Sequence, residues 1–102
     1  MLERIRKPLK NLIDICDSYK SDNIDIVAFQ KELETIYLPP ETSYELLCEQ
    51  HDTHNHLERI RFFNAEEDHR EQAIPFVNDL IAATEAELKR LKSYRPYATP
   101  AL

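Results

Sequence analysis

The sequence predicts an all-α fold: a single-domain antiparallel bundle of about four helices over residues 1–93, followed by an extended Pro-containing tail over residues 94–102. Three observations lead there. Glycine is absent from the 102 residues, which removes the usual occupant of positive-φ positions in tight hairpins and bulges. Apolar residues recur at three- and four-residue intervals, the period of a helix face. The segments so defined are joined by short connections, and such helices pack most simply as antiparallel neighbours. A chain of 12.1 kDa is long enough for one core.

In the first segment Leu9, Leu12, Ile13, Cys16 and Tyr19 form the apolar stripe, with Leu2 and Ile5 extending it across Pro8. Pro8 either opens this helix at its first position or kinks it. The periodicity stops over Tyr19-Lys20-Ser21-Asp22-Asn23. Asp25 is then placed to cap a second helix, with Ile24 and Phe29 flanking it as a hydrophobic staple. Its inward face is Ile26, Phe29, Leu33, Ile36 and Tyr37, and Pro39-Pro40 ends it.

The third segment spans about Glu41 to Phe63, with Tyr44, Leu47, Cys48 and His51 on one side and Leu57, Ile60 and Phe63 later. These stretches do not share one face, so a bend or fraying turn is expected near Asp52 to Asn55, where short polar side chains compete for backbone hydrogen bonds. Asn64 with Glu67 three residues on reads as a capping box opening the fourth helix. Its stripe is Ala73, Val77, Leu80, Ile81, Thr84, Leu88 and Leu91, with a kink expected at Pro75.

Charge is segregated along the chain. From Asn11 to Glu87 there are eighteen Asp and Glu against five Lys and Arg, whereas the two ends hold eight Lys and Arg against Glu3 alone. In an antiparallel bundle Arg4, Arg6, Lys7 and Lys10 gather near Lys89, Arg90, Lys92 and Arg95, and Glu66, Glu67, Asp68 and Glu71 occupy the opposite pole. Those four acids also suit the positive end of a helix dipole. Glu41, Glu45, Glu49 and Asp52 form a second acidic line along the third helix with no Lys or Arg interleaved. Each like-charged i,i+4 pair costs an isolated helix roughly 0.2–0.5 kcal/mol, so a cationic partner would relieve the line, although a solvated face also tolerates it.

Catalytic chemistry finds little support. Cys16 sits on an apolar stripe as a small core residue, and exposed carboxylates lack the burial that brings a pKa into the working range. Cys48, His51 and Asp52, with His54 and His56 behind, have spacing compatible with one metal ion, but only one Glu-x-x-His motif occurs, at Glu66 and His69. His51 reads more simply as a histidine at the core edge. No metal or cofactor is therefore assigned. The basic pole, with Tyr94 and Tyr97 beside Arg95, has groups for phosphate contact and base stacking, but the acidic body repels a nucleic acid. The two cysteines form no disulfide framework, and no segment approaches the ~20 apolar residues of a membrane span, so a cytoplasmic setting is expected.

Residues Ser21-Asp22-Asn23-Ile24-Asp25-Ile26-Val27-Ala28-Phe29, a polar turn leading into a capped helix with an inward aromatic, resemble the second-helix start of small helical bacterial immunity proteins of the colicin D and contact-dependent growth inhibition type. Size and acidity are similar too. The resemblance implies a non-enzymatic cytoplasmic inhibitor that covers the substrate cleft of a basic nuclease toxin, its carboxylates replacing substrate phosphates. The contact residues expected from the charge pattern are Glu45, Glu49 and Asp52 on the third helix and Glu66, Glu67, Asp68 and Glu71 at the acidic pole, with Tyr44 a candidate aromatic anchor if it is exposed. The alternative is a homo-oligomeric scaffold or regulatory module that docks a second copy through apolar residues of the third helix.

Overall fold

A computed structural model describes residues 2–92. The expected tail lies outside the described residues. Four helices follow in order, α1 (Glu3–Lys20), α2 (Ile26–Thr35), α3 (Tyr44–Phe63) and α4 (His69–Lys92), with a short 3₁₀ turn at Glu66–Asp68 leading into α4. No strand occurs among the described residues. The architecture is thus the all-α bundle that the periodicity predicts.

Buried positions follow one rule in every helix. They are Ile5, Leu9, Leu12, Cys16 and Tyr19 in α1, and Ile26, Phe29, Gln30 and Leu33 in α2. In α3 they are Leu46, Thr53, Leu57 and Ile60, and in α4 Ala73, Val77, Leu80, Thr84, Glu87 and Leu91. Steps of three and four residues generate a narrow seam on each helix, and four such seams close one core. Neighbouring helices are antiparallel. Arg70 at the start of α4 donates to the Tyr19 carbonyl at the end of α1, and Gln50 early in α3 donates to the Leu33 carbonyl late in α2. Farther along, Gln30 of α2 accepts from Arg61 near the end of α3.

The first turn solves the missing-glycine problem with an aspartate. Asp22 adopts a φ of 64°, and the Asp22 and Asn23 amides return to the Tyr19 and Ser18 carbonyls in a Schellman arrangement. Aspartate tolerates this left-handed geometry better than most residues, and its carboxylate reaches Arg70 at 2.7 Å. The expected cap of α2 is present: the Asp25 carboxylate accepts from the Ala28 amide at 2.8 Å. Replacing Asp25 with alanine is expected to cost about 1 kcal/mol of unfolding free energy, measured by urea titration.

Several boundaries differ from the periodicity. Pro8 lies inside α1, which starts at Glu3. α2 stops at Thr35, and Ile36 is extended, with ψ of 122°, so Ile36 and Tyr37 do not continue its inward face. Ile36 still packs half-buried against the core, whereas Tyr37 is exposed. The restriction that proline places on its predecessor reaches only Leu38, so it does not account for the stop at Thr35. α3 begins three residues after Glu41, because Ser43 supplies the cap by accepting from the Leu46 amide at 3.3 Å.

No break occurs at Asp52 to Asn55, where α3 is continuous. Thr53 points inward and donates its hydroxyl to the Glu49 carbonyl at 2.8 Å, so its polar group is satisfied without breaking the helix. The true inward seam is Leu46, Gln50, Thr53, Leu57 and Ile60; its two polar members hid it, and Tyr44, Leu47 and His51 lie outside it. Asn64 does not form a capping box. It terminates α3, its amide side chain donating to the Ile60 carbonyl, and the 3₁₀ turn that follows has no side-chain cap. α4 runs on through Pro75.

Candidate functional site

Two opposite ends of the bundle carry opposite charge. The turn after α1 and the turn after α3 share one pole, which brings Asp22 and Asp25 beside Glu66 and Glu67 around a crevice of about 480 Å3 also lined by Arg61, His69 and Arg70. Arg70 is committed there, ion-paired to Asp22 and placed over the Tyr19 ring at 5.1 Å. That ring stacks in turn on Phe29, with centroids 4.6 Å apart and planes 8° from parallel. Glu66, Glu67, Asp68 and Glu71 are all exposed, and none has an ion-pair partner among the described residues.

The line on α3 is shorter than expected. Glu41 lies in the connection before the helix, and its carboxylate is clamped by Arg4 at 2.7 Å, which holds it below the usual carboxylate range. Glu49 is half-buried, and Glu45 and Asp52 are exposed. Glu45, Glu49 and Asp52 precede His56 by whole helical turns, and His56 stacks on Phe76 of α4 at 4.1 Å. They therefore occupy the α4-facing edge of α3. The opposite edge faces α2, where His54 meets Glu34 at 2.8 Å, and a groove of about 430 Å3 is lined by Leu47, His51 and His54. His51 is exposed, so it is not a core-edge histidine.

Between those edges lies an outward ridge that sequence reasoning missed. Tyr44 is 77% exposed, as a contact residue requires, and the Cys48 thiol one turn on hydrogen-bonds it and raises its phenol above the ordinary range. Phe62 and Phe63 are 68% and 83% exposed at the other end of the helix. Phe63 was expected to face inward, but Ile60 takes that place in the seam. A residue 18 positions later in a helix returns to the same angle after five turns, roughly 27 Å farther along. Phe62 is therefore aligned with Tyr44, and Phe63 with Glu45. An available signal was the Phe-Phe pair itself: neighbours on a helix point about 100° apart, so both cannot fill a narrow seam.

The resulting surface joins the two acidic regions. Tyr44 and Phe62 stand at its two ends, and beside them Glu45, Asp52, the exposed cation Arg59 and Phe63 lead toward the turn that holds Glu66, Glu67 and Asp68. The aromatics offer apolar area that water leaves readily, and the carboxylates offer long-range attraction for cations.

At the other pole the connection before α3 is bound by a buried acid. Glu87, 4% exposed at its side chain, accepts from the Ser43 amide at 2.5 Å and from Arg90 at 2.9 and 2.8 Å. Arg90 also donates to the Glu41 carbonyl at 2.8 Å. Hydrogen bonding from Arg90, opposed by burial and reinforced by Ser43, holds the Glu87 carboxyl below the usual range. Glu87 occupies the seam position that follows Thr84, where the apolar pattern pointed to Leu88 instead.

Cys16 is buried in the core, which pushes its thiol up to about 12. Cys48, His51 and Asp52 do not form a ligand set, and no group of three or more His, Cys, Asp or Glu among the described residues is positioned to hold a metal ion. No helix among the described residues is long and apolar enough to cross a membrane.

These features define a four-helix all-α protein with an exposed aromatic and acidic face. No protein-family model matches the chain, and no curated protein or solved structure matches it.

Proposed function

We propose that the chain is a non-enzymatic binding protein that neutralises a basic partner, of the kind represented by nuclease toxins, by laying the outward face of α3 and the adjoining acidic pole over the partner's cationic cleft. The observation that carries this reading is the pairing of exposed aromatics on α3, Tyr44, Phe62 and Phe63, with the exposed carboxylates Glu66, Glu67, Asp68 and Glu71, which have no ion-pair partner among the described residues. Glu45 and Asp52 add exposed carboxylates along α3, and Glu49 contributes from the edge. A nuclease cleft built to hold phosphates presents Lys and Arg, and carboxylates on a rigid helix complement such groups without covalent chemistry.

The aromatic pair also supports the second reading, a homo-oligomer. A two-fold contact through Phe62 and Phe63 would set Glu66 to Glu71 of one copy near the same residues of the other, an arrangement that like-charge repulsion disfavours. The basic partner is therefore the preferred occupant. Sedimentation over a hundredfold concentration range separates the two readings, because concentration-dependent dimers that persist at high salt would favour self-assembly.

The neutraliser is tested by capturing partners from source cells at low and high salt, then measuring kinetics with the recovered protein. Reversing Glu66 and Glu67 to lysine is expected to slow association at least tenfold at low salt and to flatten its salt dependence, with the helical circular dichroism signal retained. Unchanged association rate and salt dependence would remove the acidic pole from the mechanism.

A further inference from the structure

The second charged end of the bundle has a site of its own. Arg6, Lys10, Lys89 and Lys92 converge with Leu88 around a groove of about 550 Å3 between the first half of α1 and the last turns of α4. All four cations are exposed, Leu88 is half-buried, and no carboxylate among the described residues belongs to the wall. Arg6 is engaged by Glu3 through contacts of 3.1 and 2.9 Å. Lys10, Lys89 and Lys92 have no ion-pair partner among the described residues.

Local helix electrostatics explains only half of this cluster. Lys89 and Lys92 lie in the last turns of α4, where cations offset the negative end of the dipole. Arg6 and Lys10 lie toward the opposite, positive end of α1, where that term does not favour cations. Packing α1 antiparallel to α4 nevertheless places all four on one groove, with a leucine and the aliphatic stems of the lysines as its apolar lining. The concentrated positive potential calls for an anion with several charges close together.

We propose that this groove binds a compact polyanion, a ligand carrying two or three adjacent phosphate-type groups, through Arg6, Lys10, Lys89 and Lys92. Its volume lies within the range of about 300–1,000 Å3 usual for small-ligand sites. Length is what selects against a nucleic acid. The chain between Asn11 and Glu87 carries eighteen acids against five Lys and Arg, so a strand extending beyond the groove meets repulsion, whereas a compact polyanion keeps its charge among the four cations. The assignment is independent of the neutraliser reading, which uses the outward face of α3 and the acidic pole.

The test is a titration of the full chain with inorganic pyrophosphate and tripolyphosphate at fixed ionic strength, followed by calorimetry and amide NMR. Saturable one-to-one binding is expected, tighter for tripolyphosphate, with shifts centred on Arg6, Lys10 and Leu88 to Lys92. The K89Q/K92Q variant is expected to bind at least tenfold more weakly, and K31Q, on an exposed cation of α2 outside the groove, to bind as the parent does. Absence of saturation, equal affinity in K89Q/K92Q, or a ten-base single strand binding as tightly as tripolyphosphate would overturn the assignment. If the double variant melts below the assay temperature, the parent's shift map decides, and shifts centred elsewhere than the groove overturn it.

Discussion

Replacing Phe62 and Phe63 together with alanine is expected to weaken binding to the basic partner about 100-fold, close to 3 kcal/mol, while leaving the bundle folded. Both side chains stand mostly in solvent, so their truncation opens no cavity in the core. The local loss is the contact of Arg61 over the Phe62 ring at 5.5 Å, which at an exposed site contributes roughly 0.5–1 kcal/mol. Dissociation should accelerate more than association slows, because aromatic anchors act after encounter and carboxylates act before it. This split distinguishes the double alanine variant from the charge reversal at Glu66 and Glu67. An unaltered dissociation rate would show that the ridge is not the contact surface. If the variant instead removes a concentration-dependent dimer while partner affinity is retained, the aromatic pair serves self-association.

Glu87→Ala is expected to lower the free energy of unfolding by about 2 kcal/mol at neutral pH, as measured by urea denaturation. The substitution removes the acceptor for the Ser43 amide and leaves Arg90 without its seam-side partner. Arg90 is 46% exposed at its side chain, and water screens its share, which keeps the loss below that of a fully buried pair. The pH dependence has a definite sign. The folded-state carboxyl titrates below its unfolded value, so its stabilisation is fully present above the unfolded value of about 4.3 and disappears as pH falls through the lower folded value. The stability difference between parent and variant should therefore narrow below about pH 4. A constant difference from pH 7 to pH 3 would assign the loss to packing alone.

These expectations turn on different parts of the molecule, and the parts were unequally legible in sequence. The Asp25 cap and most of the seams of α1 and α4, Glu87 excepted, follow from three- and four-residue spacing and local chemistry, both written into neighbouring residues. The polarity of the bundle was equally legible, because short connections dictate antiparallel neighbours and charge segregation along the chain then becomes separation in space.

The α3 face was not legible. Gln50 and Thr53 lie on its inward side, and each becomes acceptable there only through a partner: Gln50 by donating to Leu33 of α2, Thr53 by returning to the Glu49 carbonyl. An apolar count rejects both, shifts the seam toward Tyr44, Leu47 and His51, and inserts a bend where the helix is continuous. Once the seam is displaced, Phe63 turns inward and the ridge disappears. Asn64 shows the same limit at a boundary, since a residue fit to open a helix also serves to close one, and the 3₁₀ turn before α4 decides which.

What the sequence alone determined is the helical class, the inward face of α1 apart from exposed Leu2, that of α4 apart from Glu87, the first turn and the two charged poles, since each depends on periodicity or on residues close in the chain. Only the tertiary structure decided that Glu41 leaves the acidic line for Arg4, that Glu87 enters the core to hold Ser43, and that Phe62 and Phe63 face outward between two acidic regions. Those placements depend on partners 37 and 44 residues away in the first two cases, and on which competing side chains fill the seam in the third. A polar residue's place inside or outside a helix bundle is set by the partner it meets there, and for Glu41, Gln50 and Glu87 that partner comes from a distant segment of the chain.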